Sequence, residues 1–196
     1  MHWSKVKSVR ERVTIVRRWL TSLLLLSSST SFAETENLTT LIAERLGHMR
    51  EVAAYKWQHE LPIADIARER LVTKAGMIAG LNRGVTLESS ERFYRSQIEA
   101  AKDIQRCWHQ RWRGKAKPTS SVDLNSVLRP ILIDLGDSIS AQLSSAPPGA
   151  QEFNQVVRAE CLSNEAKQEI LEAIREIKHY PCLLYTSDAA DDTPCV

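Results

Sequence analysis

Charged side chains recur on faces of this sequence that are otherwise apolar. Within the stretch 45–69 (RLGHMREVAAYKWQHELPIADIARE), Lys56 follows Arg45 by 11 residues. On an α-helix a spacing of 11 returns to within about 20° of the same direction, so both cations share a stripe with Met49 and Val52. These apolar neighbours indicate the buried side, where an ionised side chain needs a partner. We therefore expect the two cations to pair with carboxylates of the chain or to bind an anionic ligand.

The same pattern returns further along the chain. Arg68 shares a helical stripe with Val72, Arg129 lies on an apolar face of a later helix, and Gln105 follows Ala101 by one turn. The simplest alternative is that long cationic side chains lay their stems on an apolar edge and extend their charge into water. The pattern recurs on several helices and includes four cations and one amide on apolar faces. This recurrence favours an anion-binding site instead.

Other chemistries lack a signature in the sequence. It contains no Gly-rich phosphate loop, no metal-ligand spacing and no arguable Ser-His-Asp or Cys-His set, and its five histidines are scattered. Residues 1–33 carry six of the 26 Lys and Arg and one of the 24 Asp and Glu, which leaves 20 basic and 23 acidic residues. This balance does not suggest a nucleic-acid partner.

Helices must position these side chains, because 43% of the residues are hydrophobic, only seven are glycine, and the apolar positions follow a helical period. We expect one all-α domain, a bundle of about six helices. The predicted helices span 36–57, 63–81, 87–113, 124–143, 151–159 and 164–180. Thr86, Asp123 and Ser163 are the predicted N-caps, and Pro130 is expected to bend the fourth helix.

The N-terminus has the organisation of a secretory signal peptide. Residues 1–18 are basic, Trp19–Leu26 is apolar, and Ser31 and Ala33 are small residues three and one before a cleavage site. Eight apolar residues are too few to span about 30 Å of hydrocarbon. We expect cleavage after Ala33 and a mature protein that lies outside the cytoplasm and is not in the membrane.

The last 15 residues, 182–196 (CLLYTSDAADDTPCV), differ in composition from the helix before them. They resemble the translation of a transposon-type sequencing adapter, so we interpret them as adapter-derived or as a disordered tail. Cys107 and Cys161 are the cysteines outside this segment, and nothing in the sequence places them within bonding distance. No disulfide is predicted from the sequence.

Five motifs together resemble one family. They are AERL around Arg45, AAYKW around Lys56, LPIADIARE through Arg68 and Glu69, QIEAAKDIQ ending at Gln105, and DLNSVLRP carrying Arg129. The chain resembles the exported chorismate mutases, the gamma class of the all-helical AroQ family, over about 38–112 and 123–133. The resemblance implies a chorismate mutase domain over 34–181, with catalytic helices in 34–113 and C-terminal helices in 122–181.

The resemblance also implies an isomerase that rearranges chorismate to prephenate without a metal or organic cofactor. By matched position, Lys56 and Gln105 would hydrogen-bond the ether oxygen of the substrate. Arg45 and Arg129 would bind its carboxylates, and Arg68 would help to hold the ligand. A homodimer is expected on the same basis.

Three further positions belong to the implied site. Glu69 would accept a hydrogen bond from the ring hydroxyl, and Asp65 lies beside it in the matched motif. Ala101 stands where the family usually has Ser, Thr or Asn, so one contact to a substrate carboxylate is expected to be weaker. A backbone N–H or the neighbouring Lys102 could replace that contact.

Three alternatives remain open from the sequence. An isochorismate-pyruvate lyase would share the scaffold and the cationic pocket, although the motifs and the export signal favour the mutase. A non-catalytic exported helical module could bind a small dianion, which the alanine at position 101 favours. A purely structural helical protein would leave its cations solvated.

Overall fold

Apolar stripes and polar caps determine where the helices of this protein begin and end. The computed structural model describes residues 37–115, 118 and 122–181, so the predicted signal peptide and C-terminal tail lie outside it. The helices are α1 (Leu38–Gly47), α2 (Met49–Gln58), α3 (Ile66–Leu81), α4 (Leu87–Trp112), a π-helical turn (Leu124–Leu128), α5 (Arg129–Gln142), α6 (Ala150–Val156) and α7 (Asn164–Arg175). The predicted all-α class is confirmed.

The first predicted helix is divided at His48, where α1 ends and α2 begins. His48 joins the two segments, since its N–H donates to the Glu44 carbonyl at 3.3 Å and its own carbonyl accepts from the Val52 N–H at 3.1 Å. The two segments therefore act as one kinked helix, and the described residues then hold about the six helices predicted. Arg45 and Lys56 keep their common side of this helix.

The second helix begins at Ile66 and not at Ile63, so its predicted start is wrong. The carboxylate of Asp65 accepts the backbone N–H of Arg68 at 3.0 Å, and this N-cap sets the start. An N-cap residue has non-helical backbone angles, so the residues before it cannot join the helix. The predicted cap of α4 is confirmed, because the Thr86 hydroxyl accepts from the Ser89 N–H.

The fourth predicted helix opens with a π-helical turn under the predicted cap Asp123, whose carboxylate accepts two backbone N–H groups. Pro130 lies in the first turn of α5. Proline has no N–H and its ring clashes with the carbonyl four residues earlier, so the wider turn accommodates it. Pro130 thus directly follows a change of helix type, and the bend expected from the sequence stays a prediction.

The last two helices end earlier than predicted, although the Ser163 cap is confirmed. After α7 the chain pairs with the α3–α4 connection. Thr86 donates to the Lys178 carbonyl at 2.9 Å, and Tyr180 donates to the Gly84 carbonyl at 2.8 Å. These bonds replace the helical ones that the sequence pattern predicted.

Helix α4 is central, because it packs against α2, α3 and α7. Its Phe93 and Ile104 are fully buried in the core. Helix α3 approaches α4 closely at Gly76, where a Cβ atom would collide with the Tyr94 ring. Within the described part of the chain, no helix is both long and apolar enough to cross a membrane.

A disulfide joins Cys107 of α4 to Cys161 in the α6–α7 connection, with the two Cα atoms 5.7 Å apart. The sequence analysis predicted no disulfide, so this is a correction. The two residues are 54 positions apart and meet only because α7 packs on α4. The Ser163 N–H also donates to the Asp103 carboxylate at 3.0 Å, which holds the same connection against α4.

Candidate active site

One cavity of about 450 Å³ opens between α1–α2, α3, α4 and α5, a size typical of small-molecule sites. All eight predicted site residues line it: Arg45, Lys56, Asp65, Arg68, Glu69, Ala101, Gln105 and Arg129. These residues come from five helices and one connection, between Arg45 on α1 and Arg129 on α5. Apolar side chains, Met49 and Val52 among them, complete the wall.

Two guanidinium groups in the cavity, those of Arg45 and Arg68, have no carboxylate partner in the part of the chain that the structure describes. Arg45 donates from Nη1 to the Leu132 carbonyl at 2.7 Å. Burial lowers the pKa of Arg45; Tyr94 opposes this shift, and the nearby Arg68 charge adds to it. Within the described residues the Arg68 guanidinium makes no hydrogen bond or ion pair. Their charges are therefore available to an anion.

Lys56 is a buried ammonium group on the same side of the cavity, with 9% of its surface exposed. Its Nζ donates to the Ile63 carbonyl oxygen at 2.6 Å. Burial lowers the Lys56 pKa, and the carboxylates of Asp65 and Glu69 only partly offset that effect. A buried cation held by a neutral carbonyl is costly without an anion, which is an arrangement typical of a binding site.

Arg129 lies at the more open side of the cavity, where it is about one-third exposed. Its Nη1 donates to the Asn125 side-chain oxygen at 2.5 Å, and its Nη2 lies 3.7 Å from an Asp65 oxygen. Asn125 belongs to the π-helical turn, so that turn aims the guanidinium. The sequence analysis did not single out Asn125, although it lies one helical turn before Arg129.

A hydrogen-bonded carboxylate, Glu69, links α3 to α4. One of its oxygens accepts the Asp65 backbone N–H at 3.2 Å, and the other accepts from Lys102 Nζ at 3.1 Å. Lys102 also pairs with Glu99 at 2.7 Å and is only 12% exposed. Burial lowers the pKa of Lys102, but its bonds to Glu99 and Glu69 outweigh this and the net shift is upward.

Gln105 is the buried amide of the site. Its Nε2 donates to the Ala101 carbonyl at 3.0 Å and lies 3.9 Å from the sulfur of Met49, while its Oε1 has no partner in the described residues. A thioether is a weak acceptor, so a ligand oxygen could replace it at the second N–H. Ala101 presents only a methyl group to the same wall.

Tyr94 and Ser140 also line the cavity, and the sequence analysis missed both. The Tyr94 hydroxyl donates to the Gly136 carbonyl at 3.2 Å and hydrogen-bonds the Ser140 hydroxyl. Burial raises the Tyr94 pKa. Tyr94 lies seven residues before Ala101, which puts both residues on the same face of α4. This spacing could have indicated from the sequence that Tyr94 lines the cavity.

The charges of the cavity do not cancel. Five cations and three carboxylates line it: Arg45, Lys56, Arg68, Lys102 and Arg129 against Asp65, Glu69 and Asp137. These lining residues carry a formal charge of +2, and Glu99, which pairs with Lys102 from outside the lining, offsets one of the positive charges. The remaining excess is positive and suits an anion. Planar guanidinium groups bind carboxylates in bidentate fashion, so a dicarboxylate is the ligand class that fits best.

Comparison with known proteins agrees with this geometry. Residues 35–106 match the family model of chorismate mutase type II. The chain is 24% identical over 176 residues to the secreted chorismate mutase of Yersinia pestis. The aligned region covers 85% of this chain and 95% of that protein. The chain is similar to the chorismate mutases of type II over residues 35–106. The predicted resemblance is therefore confirmed.

Two further comparisons concern extent and fold. A monofunctional chorismate mutase of Enterobacter agglomerans is 30% identical over 101 residues, covering 52% of this chain and 55% of that protein. The crystal structure of the Yersinia pestis protein superposes with a TM-score of 0.68 at 26% identity, covering 73% of this chain and 97% of that one. The chain therefore shares its fold with that protein over most of its length.

Proposed function

We propose that this protein is a chorismate mutase that converts chorismate to prephenate. The observation that carries the proposal is the excess of positive charge in the cavity, where Arg45 and Arg68 have no carboxylate partner among the described residues. Chorismate is a dicarboxylate dianion, so its two charges complement those of the cavity. The match of residues 35–106 to the chorismate mutase type II model and the similarity to the Yersinia pestis protein support the same activity.

The reaction suits a site of this kind. It is a pericyclic shift in which one C–O bond breaks while a C–C bond forms, so no acid, base or nucleophile is obligatory. The protein needs to hold the compact chair-like conformer and to stabilise negative charge that develops on the ether oxygen. A millionfold rate gain requires about 8 kcal/mol. One placed donor supplies about 3–4 kcal/mol, so two donors and orientation suffice.

Lys56 and Gln105 are the proposed donors to the ether oxygen. Lys56 brings a full positive charge into a buried position, where electrostatic interactions are strong. Gln105 brings an N–H whose present neighbour is only the Met49 sulfur. Because an amide is neutral, Gln105 donates at any pH. This pair accounts for stabilisation of the transition state without an acid that must be protonated first.

The arginines are the proposed carboxylate ligands. Arg45 is buried and fixed by the Leu132 carbonyl, so it offers a preformed contact deep in the cavity. Arg129 is partly exposed and aimed by Asn125, so it contacts the substrate from the open side. Arg68 lies beside Arg45 and shares the task of holding the ligand. Because Arg129 follows the 114–121 connection, the site needs both the 34–113 and the 122–181 parts of the proposed 34–181 domain.

Glu69 is the proposed acceptor for the ring hydroxyl, with Asp65 holding it in place. Each Glu69 oxygen already accepts one hydrogen bond, and a carboxylate oxygen has a further lone pair for a hydroxyl donor. The position of this acceptor distinguishes chorismate from an isomer with a displaced hydroxyl.

Parallel assays with chorismate and isochorismate test this function. We expect chorismate to disappear as prephenate forms, with no pyruvate released from isochorismate. Pyruvate release from isochorismate without prephenate formation would establish the lyase instead. A folded protein inactive on both substrates would support the non-catalytic binding module.

Export to the periplasm is proposed on two observations. The Yersinia pestis relative is named a secreted protein, and the disulfide between Cys107 and Cys161 is of a kind that persists in oxidising compartments. Cell fractionation and N-terminal sequencing of the mature protein test the proposal. We expect a periplasmic protein that begins after Ala33, and retention of residues 1–33 in the cytoplasm would contradict it.

A homodimer is proposed because α3 exposes large apolar side chains. Leu71 and Ile78 are 60% and 50% exposed, and their spacing of seven residues puts them on one face. Burial of that face against a second copy would remove it from water. Light scattering should give twice the chain mass, and Ile78→Glu should give the monomer. A monomeric wild-type protein would contradict the proposal.

A further inference from the structure

Among the described residues, Lys102 is the cavity cation that pairs with two carboxylates. Its Nζ lies 3.1 Å from Glu69 on α3 and 2.7 Å from Glu99 on the preceding turn of α4. With 12% of its side chain exposed, it is screened from water more than a surface ion pair is. Lys102 therefore bridges two helices at the edge of the cavity.

The bridge continues through Glu69 into the connection before α3. The second Glu69 oxygen accepts the Asp65 N–H, and Asp65 in turn caps α3 and faces Arg129 at 3.7 Å. The same connection carries the Ile63 carbonyl, which is the hydrogen-bond acceptor of the catalytic ammonium group. A shift of the Glu69 carboxylate would therefore disturb the groups that contact Arg129 and Lys56, on both sides of the cavity.

Glu69 also has competing partners. It lies close enough to Lys56 to oppose the lowering of the Lys56 pKa. Without Lys102, the free oxygen of Glu69 could turn towards Lys56 or Arg68 and neutralise a charge that the substrate needs. The ion pair with Lys102 keeps this carboxylate at the α4 wall.

We propose that Lys102 is a positioning residue that holds Glu69 against α4. By doing so it fixes the Asp65 connection and leaves the Lys56 and Arg68 charges available to the substrate. The inference rests on the proposed function. Lys102 itself does not contact the reacting atoms in this account, and its effect is transmitted through Glu69.

Steady-state kinetics of three variants of the full chain test the proposal. Lys102→Met should lower kcat/KM by about 10–100-fold, because a misplacement of about 1 Å costs about that much. Lys102→Arg should restore most of the activity, since it retains a charged donor. The matched control is Arg95→Met, which removes a cation two turns earlier on α4 that pairs with Glu91 at 3.5 Å. It should retain wild-type kinetics.

Hydrogen exchange of the Asp65 amide gives a readout that needs no substrate. We expect this amide to exchange faster in Lys102→Met than in the wild type or in Arg95→Met, because its acceptor Glu69 is released. Wild-type kinetics and exchange in Lys102→Met would overturn the inference. If that variant does not fold, Lys102→Gln replaces it, with the same expected loss and the same contrary result. Inactivity of the wild type towards chorismate would refute the proposed function, and the exchange rates would still decide the role of Lys102.

Discussion

Replacing Lys56 with methionine should separate activity from stability. Methionine keeps a similar length and removes the charge, so packing against Val52 and Met49 is retained while the donor is lost. We expect turnover to fall steeply and the fold to persist. This outcome follows from the buried ammonium group, whose only hydrogen bond in the described residues is to a carbonyl.

The size of the two effects can be worked out separately. Loss of one donor to a developing negative charge costs about 2.7–4 kcal/mol, which lowers kcat by about 10²–10³-fold. In the ground state, the lost bond to the Ile63 carbonyl costs about 1.5–3 kcal/mol. Relief of the desolvation cost of the buried charge, several kcal/mol, opposes it. The free energy of unfolding should therefore fall by no more than about 1 kcal/mol, or about 2–4 °C in Tm.

Chorismate kinetics and thermal unfolding of the same preparations provide the assay. The matched control is Lys74→Met, which removes an exposed lysine of α3 outside this cavity and should alter neither quantity. Near-normal turnover in Lys56→Met would refute the role assigned to Lys56. A large loss of Tm would show that Lys56 holds the fold together, contrary to this reasoning.

Four other outcomes are expected. Arg129→Met should raise KM about tenfold or more with a smaller change in kcat, since it binds a carboxylate from the open side; an unchanged KM would show that another cation does so. The rate should fall as pH rises through the Lys56 pKa, because the charged form is the donor; burial lowers that pKa, so a pH–rate profile should show this decline below the pH expected of an ordinary lysine. Cys107→Ala combined with Cys161→Ala should lower the free energy of unfolding by up to about 4 kcal/mol in denaturant titrations, the chain-entropy value for a 54-residue separation, and an unchanged midpoint would contradict it. Ala101→Ser should lower KM about 2–10-fold by adding a hydroxyl to the cavity wall, whereas a raised KM would mean that the hydroxyl obstructs the substrate.

Helical periodicity predicted Arg45, Lys56, Arg68, Gln105 and Arg129 because it depends only on spacing. The family resemblance added Asp65, Glu69 and Ala101. Arg45 and Lys56 share a side of the α1–α2 segment even though the chain kinks at His48 between them. His48 hydrogen-bonds to both segments, and both side chains line the same cavity. The all-α fold and the predicted N-caps followed from equally local signals.

Helical periodicity and N-cap signals do not predict which side chains of different helices contact each other. The pairing of Lys102 with Glu69 depends on the distance between α3 and α4, which is short because Gly76 has no side chain to hold the Tyr94 ring away. The disulfide likewise depends on how α7 packs against α4. Spacing along the chain carries no information on either distance.

Helix ends were mispredicted where a hydrogen bond outside the helix was the better alternative. Asp65 caps α3 three residues later than predicted, and Lys178 accepts the Thr86 N–H where helix was expected to continue. Apolar periodicity alone does not reveal such competing partners. The missed residue Asn125 is of the same kind, since its importance lies in the Arg129 side chain that it holds.

The central claim is that the cavity stabilises the transition state more than the substrate. The most direct test compares the inhibition constant of a rigid bicyclic ether dicarboxylate, shaped like the chair-like transition state, with the KM for chorismate. This account predicts that the analogue binds at least about 10²-fold more tightly than the substrate. Equal binding of the analogue and chorismate would contradict it and would show a site that binds dianions without catalysing their rearrangement.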